Sequence, residues 1–333
     1  MTATECLVHE PDGNIGLQKC VIGPVGPSQC LVETSYSAVS SGTELRCLYG
    51  DAPGASYVPG YLGVGRIAGA GSLSKFKQGE RVVFWRGTGY RGLSSQWGCH
   101  SQRALVDDCQ LHHVPVEVSD LDAVFSKIAA IAFHGVNLAC IKKGERVLVL
   151  GLGLLGQLSA RICNHGEAHV LAAGRNPVRV NHATRAGIRA YEVDKRIDEK
   201  MKQLFGPEIR ADVILDATGN RNVISEALPL ANDLLPWENP TTTPTRYVVQ
   251  GSFRGALSFD YEQAFRKELH FFISRDHNRK DLEEVFAMMT NQELVFSDLI
   301  PEPVCPSEAA SHYEALRSPN PEAFTAVFDW SKL

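Results

Sequence analysis

KKGERVLVLGLGLLG, residues 142–156, carries an apolar run, RVLVLG (146–151), that opens into glycines at 151, 153 and 156 and then into helix-forming residues. An unbroken run of Val and Leu of this length is the pattern of a strand buried on both faces. GxGxxG alone is a weak signal. Set between a strand and a helix it has a mechanical reading. Gly151 permits a tight turn, Gly153 lets a pyrophosphate approach the backbone, and Gly156 lets the helix pack on the sheet. The helix start at Leu154 and Leu155 offers unpaired N–H groups and a positive dipole end to phosphates. The segment reads as a dinucleotide-binding turn.

The flanking sequence continues in the same idiom. HVLAAG (169–174), ADVILDATG (211–219), RYVVQGSF (246–253) and LHFFIS (269–274) read as strands. Segment 154–164, VRVNHATRAG (178–187) and RKDLEEVFAMMT (279–290) read as helices. Alternation of this sort predicts an α/β fold, a doubly wound parallel sheet with helices on both faces. Gly174, Thr218, Gly219, Gly251, Ser252 and Phe253 lie at strand ends beside the glycine turn and join the expected cofactor-binding set. The first 120 residues differ. Strand-like runs at 30–39, 63–71 and 80–85 alternate with GPVGP (23–27) and GTGYRG (87–92), which predicts a small β-barrel or sandwich. SDLDAVFSKIAAIAFHGVNLA (119–139), with Ser119 as N-cap, predicts one helix. ELVFSDLI (293–300) and AFTAVFDW (323–330) read as strands of a returning tail. The expected division is 1–121, 122–292, and a segment 293–333 that completes the first domain.

Composition narrows the function. The 333 residues are 21% charged and 44% hydrophobic, a globular profile. The net charge of -5 gives no basic footprint for nucleic acid, and no apolar run is long enough to span a membrane. MTATECLVHEPDGN lacks the basic and apolar regions of a secretory signal, so the expectation is a cytoplasmic protein. Nine scattered cysteines form no CxxC and read as reduced, gap-filling thiols rather than a disulfide or zinc framework.

The strand HVLAAG ends at Gly174, where an NAD site usually places a carboxylate for the ribose 2′-OH. Arg175 and Asn176 stand there instead, and Arg179 follows one turn later. A guanidinium fork suits a 2′-phosphate, which points to NADP(H). The alternative, Arg175 stacking on adenine while either dinucleotide binds, uses the same planar group.

SAVSSGTEL (37–45), VPGYLGVGRIAGAG (58–71), KQGERVVF (77–84), WGCHSQRALV (97–106) and KKGERVLVLGLGLLG (142–156) together resemble the medium-chain dehydrogenase/reductase superfamily over nearly the whole chain. The SGTE and VPGY forms and the FDW ending are similar to its bacteriochlorophyllide dehydrogenase-like branch. The resemblance implies a GroES-like β-barrel catalytic domain, a Rossmann cofactor domain, an active-site cleft between them and a homodimer or tetramer. Zinc members of the superfamily carry Cys-Gly-Thr-Asp and Gly-His-Glu. Here those positions read Ser41-Gly42-Thr43-Glu44 and Gly60-Tyr61-Leu62, and an ungapped reading puts Lys127 at the third ligand position. The family's four-cysteine lobe is missing from 86–98. Ser, Tyr and Lys are poor zinc ligands, so the reading is that catalytic zinc is absent.

Without a metal, another group must offset charge on the substrate oxygen during hydride transfer. Tyr61 takes the vacated histidine position, and an ammonium at Lys127 would favour its phenolate. Thr43 matches a hydroxyl that the family sets beside the substrate oxygen, with Ser41 and Glu44 flanking it. His100, near Trp97, is the other acid/base candidate, and His134 lies on the helix before the glycine turn. Cys47 and Cys99 lack a flanking base. The expected activity is reversible hydride transfer between NADP(H) and a ketone or secondary alcohol of a small molecule. An enone or quinone reductase, and an NADP(H)-binding protein without catalysis, stay open as alternatives.

Overall fold

RVLVLG forms the strand Arg146–Leu150 at the middle of a six-stranded sheet. The structure, a computed structural model, describes residues 2–50, 55–194, 196–207, 209–233, 243–318 and 321–333. They group into two units, Met1–Ile128 with Val295–Leu333, and Ala129–Leu294.

In the second unit the strands run Arg189–Glu192, His169–Gly174, Arg146–Leu150, Val213–Asp216, Arg246–Val249 and His270–Ile273 across the sheet, every pair parallel. The order reverses at Arg146–Leu150, so the glycine turn leaves the carboxyl end of the strand at the topological switch point. Helices cover both faces. One face buries Val147, Val149, Ala160 and Val180, and the other Leu148, Met201, Ile224 and Tyr247. Burial on both sides explains the continuous apolar runs, each large side chain contributing roughly 1.5–3 kcal/mol.

The first unit is built on the strand Gln29–Ala38. It pairs antiparallel with Leu62–Ala70, Arg103–Asp107 and the tail strand Val327–Asp329. Register shifts at Leu31/Val32 and Thr34/Tyr36 bend this ribbon, as bulges do. A smaller sheet orders Ile15–Ile22, Thr2–His9, Tyr57–Val58 and Ser94–Ser95. The helix Ala309–Arg317 packs Tyr313 and Leu316 into a core with Leu7, Leu48, Phe328 and Trp330.

Several expectations are corrected. ELVFSDLI is not a strand: the N–H groups of Glu293 and Leu294 both cap Met288 O after the helix Arg279–Thr290, and Ser297–Leu299 is a 3₁₀ turn. Leu294 and Phe296 are nevertheless buried, from irregular backbone. SGTELRCLYG, expected among strands and turns, is the helix Ser41–Gly50. The single helix of 119–139 divides into Asp120–Ala123, capped by Ser119, and Ser126–Leu138. The tail also holds the unforeseen helix Ala309–Arg317.

Candidate functional site

The second unit presents the glycine turn read from the sequence as a dinucleotide site. Gly151 adopts φ +85° and donates its N–H to Ala173 O at 2.8 Å. A Cβ at Gly156 would lie 1.8 Å from Gly151 O, so the helix can begin this close to the turn only with glycine there. Gly153 is the N-cap of Leu154–His165 with no side-chain cap, which leaves the first N–H groups for an anion. The guanidinium of Arg179 approaches this turn: its Nη1 lies 3.7 Å from the position a Gly153 Cβ would take. Burial pushes the Arg179 pKa down. A neighbouring phosphate would offset that cost of carrying charge. Arg175 is exposed at the end of His169–Gly174. Asn176 has a structural role, its Oδ1 accepting from Val178 and Arg179 N–H groups at 2.9 and 3.3 Å to cap the helix Pro177–Arg185.

The neighbouring strand ends are packed against each other. Thr218 donates its hydroxyl to Asp216 Oδ1 at 2.6 Å, and burial pushes the Asp216 carboxyl up. A Cβ on Gly251 would meet Gly219 N at 2.3 Å, so the two loops touch through backbone. Gly174 is buried against Leu152, Ser252 is exposed, and Phe253 packs on the apolar cluster below. His134 is tied by Nδ1 to Asp281 Oδ2 at 2.8 Å, and Asp281 also closes the capping box with Asn278. That is a structural pairing.

In the first unit, Glu44 on the helix Ser41–Gly50, Lys127 on Ser126–Leu138, Tyr61 just before the strand Leu62–Ala70 and His100 in the loop before Arg103–Asp107 are all nearly buried. Glu44, 1% exposed, accepts from Ser40 N–H at 2.8 Å on one oxygen. On the other it pairs with His100 Nε2 at 3.0 Å and accepts from the Tyr313 hydroxyl at 2.7 Å. Burial, then the Glu44 charge, push the Tyr313 phenol well above its ordinary pKa. His100 Nδ1 lies 2.8 Å from Ser37 Oγ, which accepts from Trp330 Nε1–H at 2.9 Å. Since Ser37 already accepts there, its own proton is directed to Nδ1, and Nε2 carries the proton given to Glu44. His100 is 0% exposed with both nitrogens engaged, so it holds the frame and is poorly placed to exchange protons with a substrate.

Tyr61 sits beside that frame. Its hydroxyl donates to Ser40 Oγ at 2.6 Å, and its ring meets Trp97 edge-on, centroids 5.4 Å apart. The Lys127 ammonium stands 5.8 Å from the Tyr61 ring centroid and 4.8 Å from that of Trp85. At 7% exposure Lys127 does not reach out to solvent, and cation–π attraction stabilises it over the rings. Ser41 donates to Phe324 O at 3.0 Å, and Thr43 is half-buried with its N–H on Ser40 O. Gly60, at φ +90°, places Tyr61, and a Cβ there would lie 2.5 Å from the His100 ring. Cys99 is inert: burial pushes its thiol well up. Sequence reasoning missed Ser40, adjacent to Ser41, and the distant partners Ser37, Tyr313 and Trp330.

No family model matches the chain. Among curated proteins, the 2-desacetyl-2-hydroxyethyl bacteriochlorophyllide A dehydrogenase of Rhodobacter capsulatus is 27% identical, covering 92% of this chain and 91% of its own. Among solved structures, an Escherichia coli short chain alcohol dehydrogenase complexed with NADH superposes with a TM-score of 0.86, at 18% identity and 99% and 100% coverage. A putative zinc-binding dehydrogenase of Sinorhizobium meliloti bound to NADP gives 0.83, also at 18% identity, with 99% and 100% coverage. The relatives and structural neighbours of this chain are medium-chain dehydrogenases/reductases of the zinc-type alcohol dehydrogenase kind. The two-domain α/β fold is theirs, with GroES-like and Rossmann parts.

Where zinc members of the medium-chain dehydrogenases hold metal, this chain does not fit one. Ser41 and Tyr61 spend their protons on Phe324 O and Ser40, Lys127 lies over aromatic rings, and Glu44 is engaged by three donors. Among the described residues no group of three or more His, Cys, Asp or Glu gathers elsewhere. The dinucleotide, by contrast, fits: the turn leaves N–H groups free of a cap and sets a guanidinium against them.

Proposed function

We propose that the protein is a zinc-independent, NADP(H)-dependent oxidoreductase of the medium-chain type. It interconverts a ketone and a secondary alcohol of a small molecule. The observation that carries this is the buried Tyr61 hydroxyl on Ser40 with the Lys127 ammonium beside its ring, at the positions the family gives to metal ligands. When bound, NADP(H) supplies or accepts the hydride. The chain's own part is to hold the pyrophosphate on Gly151, Gly153 and Gly156, and to move one proton at Tyr61 Oη. As a substrate oxygen gains negative charge, the Tyr61 hydroxyl turns from Ser40 Oγ and gives its proton to that oxygen, and the phenolate left behind accepts a hydrogen bond from the Ser40 hydroxyl until solvent restores the proton. The Lys127 charge favours the resulting phenolate. Glu44 and His100 keep Ser40 in place through its N–H. Trp97 packs against Tyr61 and Trp85 lies by Lys127, aromatic neighbours that suit an alcohol or ketone borne on an apolar frame.

Arg175 and Arg179 support NADP(H) over NAD(H), since no carboxylate ends the strand His169–Gly174. Each charged hydrogen bond to a phosphate is worth roughly 1.5–3 kcal/mol, a factor of about 10–150. The variant Arg175→Ala is expected to weaken NADPH by about tenfold or more while NADH stays within about threefold, measured by fluorescence titration. Equal losses for both cofactors, or none, would refute the preference.

We also propose a homodimer through the edge strand His270–Ile273. Ile273 is 70% exposed, and Phe265 and Tyr261 on the preceding helix are exposed as well. An open edge with apolar neighbours is a template for pairing, and a second copy brings the same edge. Light scattering should give twice the chain mass, and Ile273→Lys should give the monomer. A monomeric wild type defeats this. No helix among the described residues is long and apolar enough to cross a membrane. All nine cysteines are free, which suits the reducing cytoplasm we assign. Recovery outside the soluble cytoplasmic fraction would count against that compartment.

A further inference from the structure

Two of the nine thiols are not isolated. Cys6 lies on the strand Thr2–His9 and Cys20 on Ile15–Ile22. The antiparallel register sets Cys6 opposite Gln18 and Thr4 opposite Cys20, so the two cysteines are diagonal neighbours on one face of the hairpin. Their sulfurs are 3.1 Å apart. Cys6 is fully buried, and Cys20 is half-buried at the rim of the same apolar cluster. An oxidant therefore meets Cys20 first.

We propose that Cys6 and Cys20 are a reversible thiol–disulfide site that responds to hydrogen peroxide. The Cys20 thiolate attacks the peroxide: an S–O bond forms, the O–O bond breaks, and, with one proton, water leaves. Cys6 Sγ then attacks Cys20 Sγ: the S–S bond forms, the S–O bond breaks, and the departing hydroxide takes the Cys6 proton as a second water. Two thiols lose two electrons and one peroxide gains them. The hydrogen bond from Cys6 holds the Cys20 thiol below its ordinary pKa, as an attacking sulfur requires. Burial instead pushes Cys30 and Cys99 up, and takes Cys163 to about 12. Closure has a structural address. Cys6 bridges Ser101, and Leu7 N–H donates to His100 O at 2.8 Å, so the tied strand is the one bracing His100.

Cys109 and Cys140 are exposed and would form intermolecular bonds, so the test uses the full chain carrying Cys109→Ser and Cys140→Ser. Hydrogen peroxide is added at neutral pH, remaining thiols are blocked, and the protein is digested with trypsin. Lys19 separates the two cysteines, so the bond joins the peptide ending at Lys19 to the peptide 20–46. The linked pair, with fragmentation placing the bond on Cys20 rather than Cys30, is the expected result. Dithiothreitol should restore both thiols, and adding Cys20→Ser should abolish the link while Cys6 stays reduced. Two outcomes overturn the proposal: both thiols still blocked after peroxide treatment, or Cys20 driven to sulfinic acid with Cys6 unlinked.

Discussion

Glu44→Ala is expected to lower the thermal unfolding midpoint by roughly 6–20 °C. The carboxylate is 1% exposed and accepts from Ser40 N–H, His100 Nε2 and the Tyr313 hydroxyl. Alanine leaves all three donors buried without a partner. Each buried donor left without a partner costs about 1–3 kcal/mol, and with partial relaxation the three together come to roughly 3–5 kcal/mol. For a chain of this size each kcal/mol moves the midpoint by about 2–4 °C. Glu44→Gln keeps the shape and part of the bonding, so it should fall between. Tryptophan fluorescence during heating provides the readout, since Trp330 bonds to Ser37 in the same network. A midpoint for Glu44→Ala within about 2 °C of wild type would show that the network contributes little.

Tyr61→Phe is expected to reduce turnover by about 10²–10⁴-fold, the usual worth of a positioned general acid or base. The phenyl ring keeps the contacts to Trp97 and Lys127, so the loss to stability should be only about 1 kcal/mol for the missing hydrogen bond. NADPH should bind as in the wild type, because the dinucleotide turn lies on the other unit. The same preparation should contain no stoichiometric zinc and keep its activity after dialysis against a chelator. Near wild-type turnover in Tyr61→Phe would falsify the proton assignment. A tightly held zinc whose removal abolishes activity would replace it with metal chemistry.

Legibility in the sequence followed locality. HVLAAG and RKDLEEVFAMMT became a strand and a helix with the bounds read from them, His169–Gly174 and Arg279–Thr290. Each carries its own signal, a short apolar run in one case and helical spacing in the other. The helix Ser41–Gly50 was hidden because glycines at both ends and few apolar positions imitate a turn. The helix Ala309–Arg317 was readable, since Ala309, Tyr313 and Leu316 have helical spacing and are buried. Tyr61 and Lys127 could be singled out only because the family resemblance marks those positions. Nothing local announces that Trp330 donates to Ser37, 293 residues away, or that Tyr313 reaches Glu44 across 269. Such partners are set by tertiary closure, which no window of sequence contains.

The pairing of Val327–Asp329 with Gln29–Ala38 also fixes an order of events during synthesis. Residues 129–294 emerge from the ribosome as one contiguous stretch and can fold while translation continues. The first unit gains the strand Val327–Asp329 and the Trp330 donor to Ser37 only once its last residues are made, so that hydrogen bond is among the last to form. A nascent chain stalled before that point would expose this half to chaperones after the contiguous half 129–294 is complete.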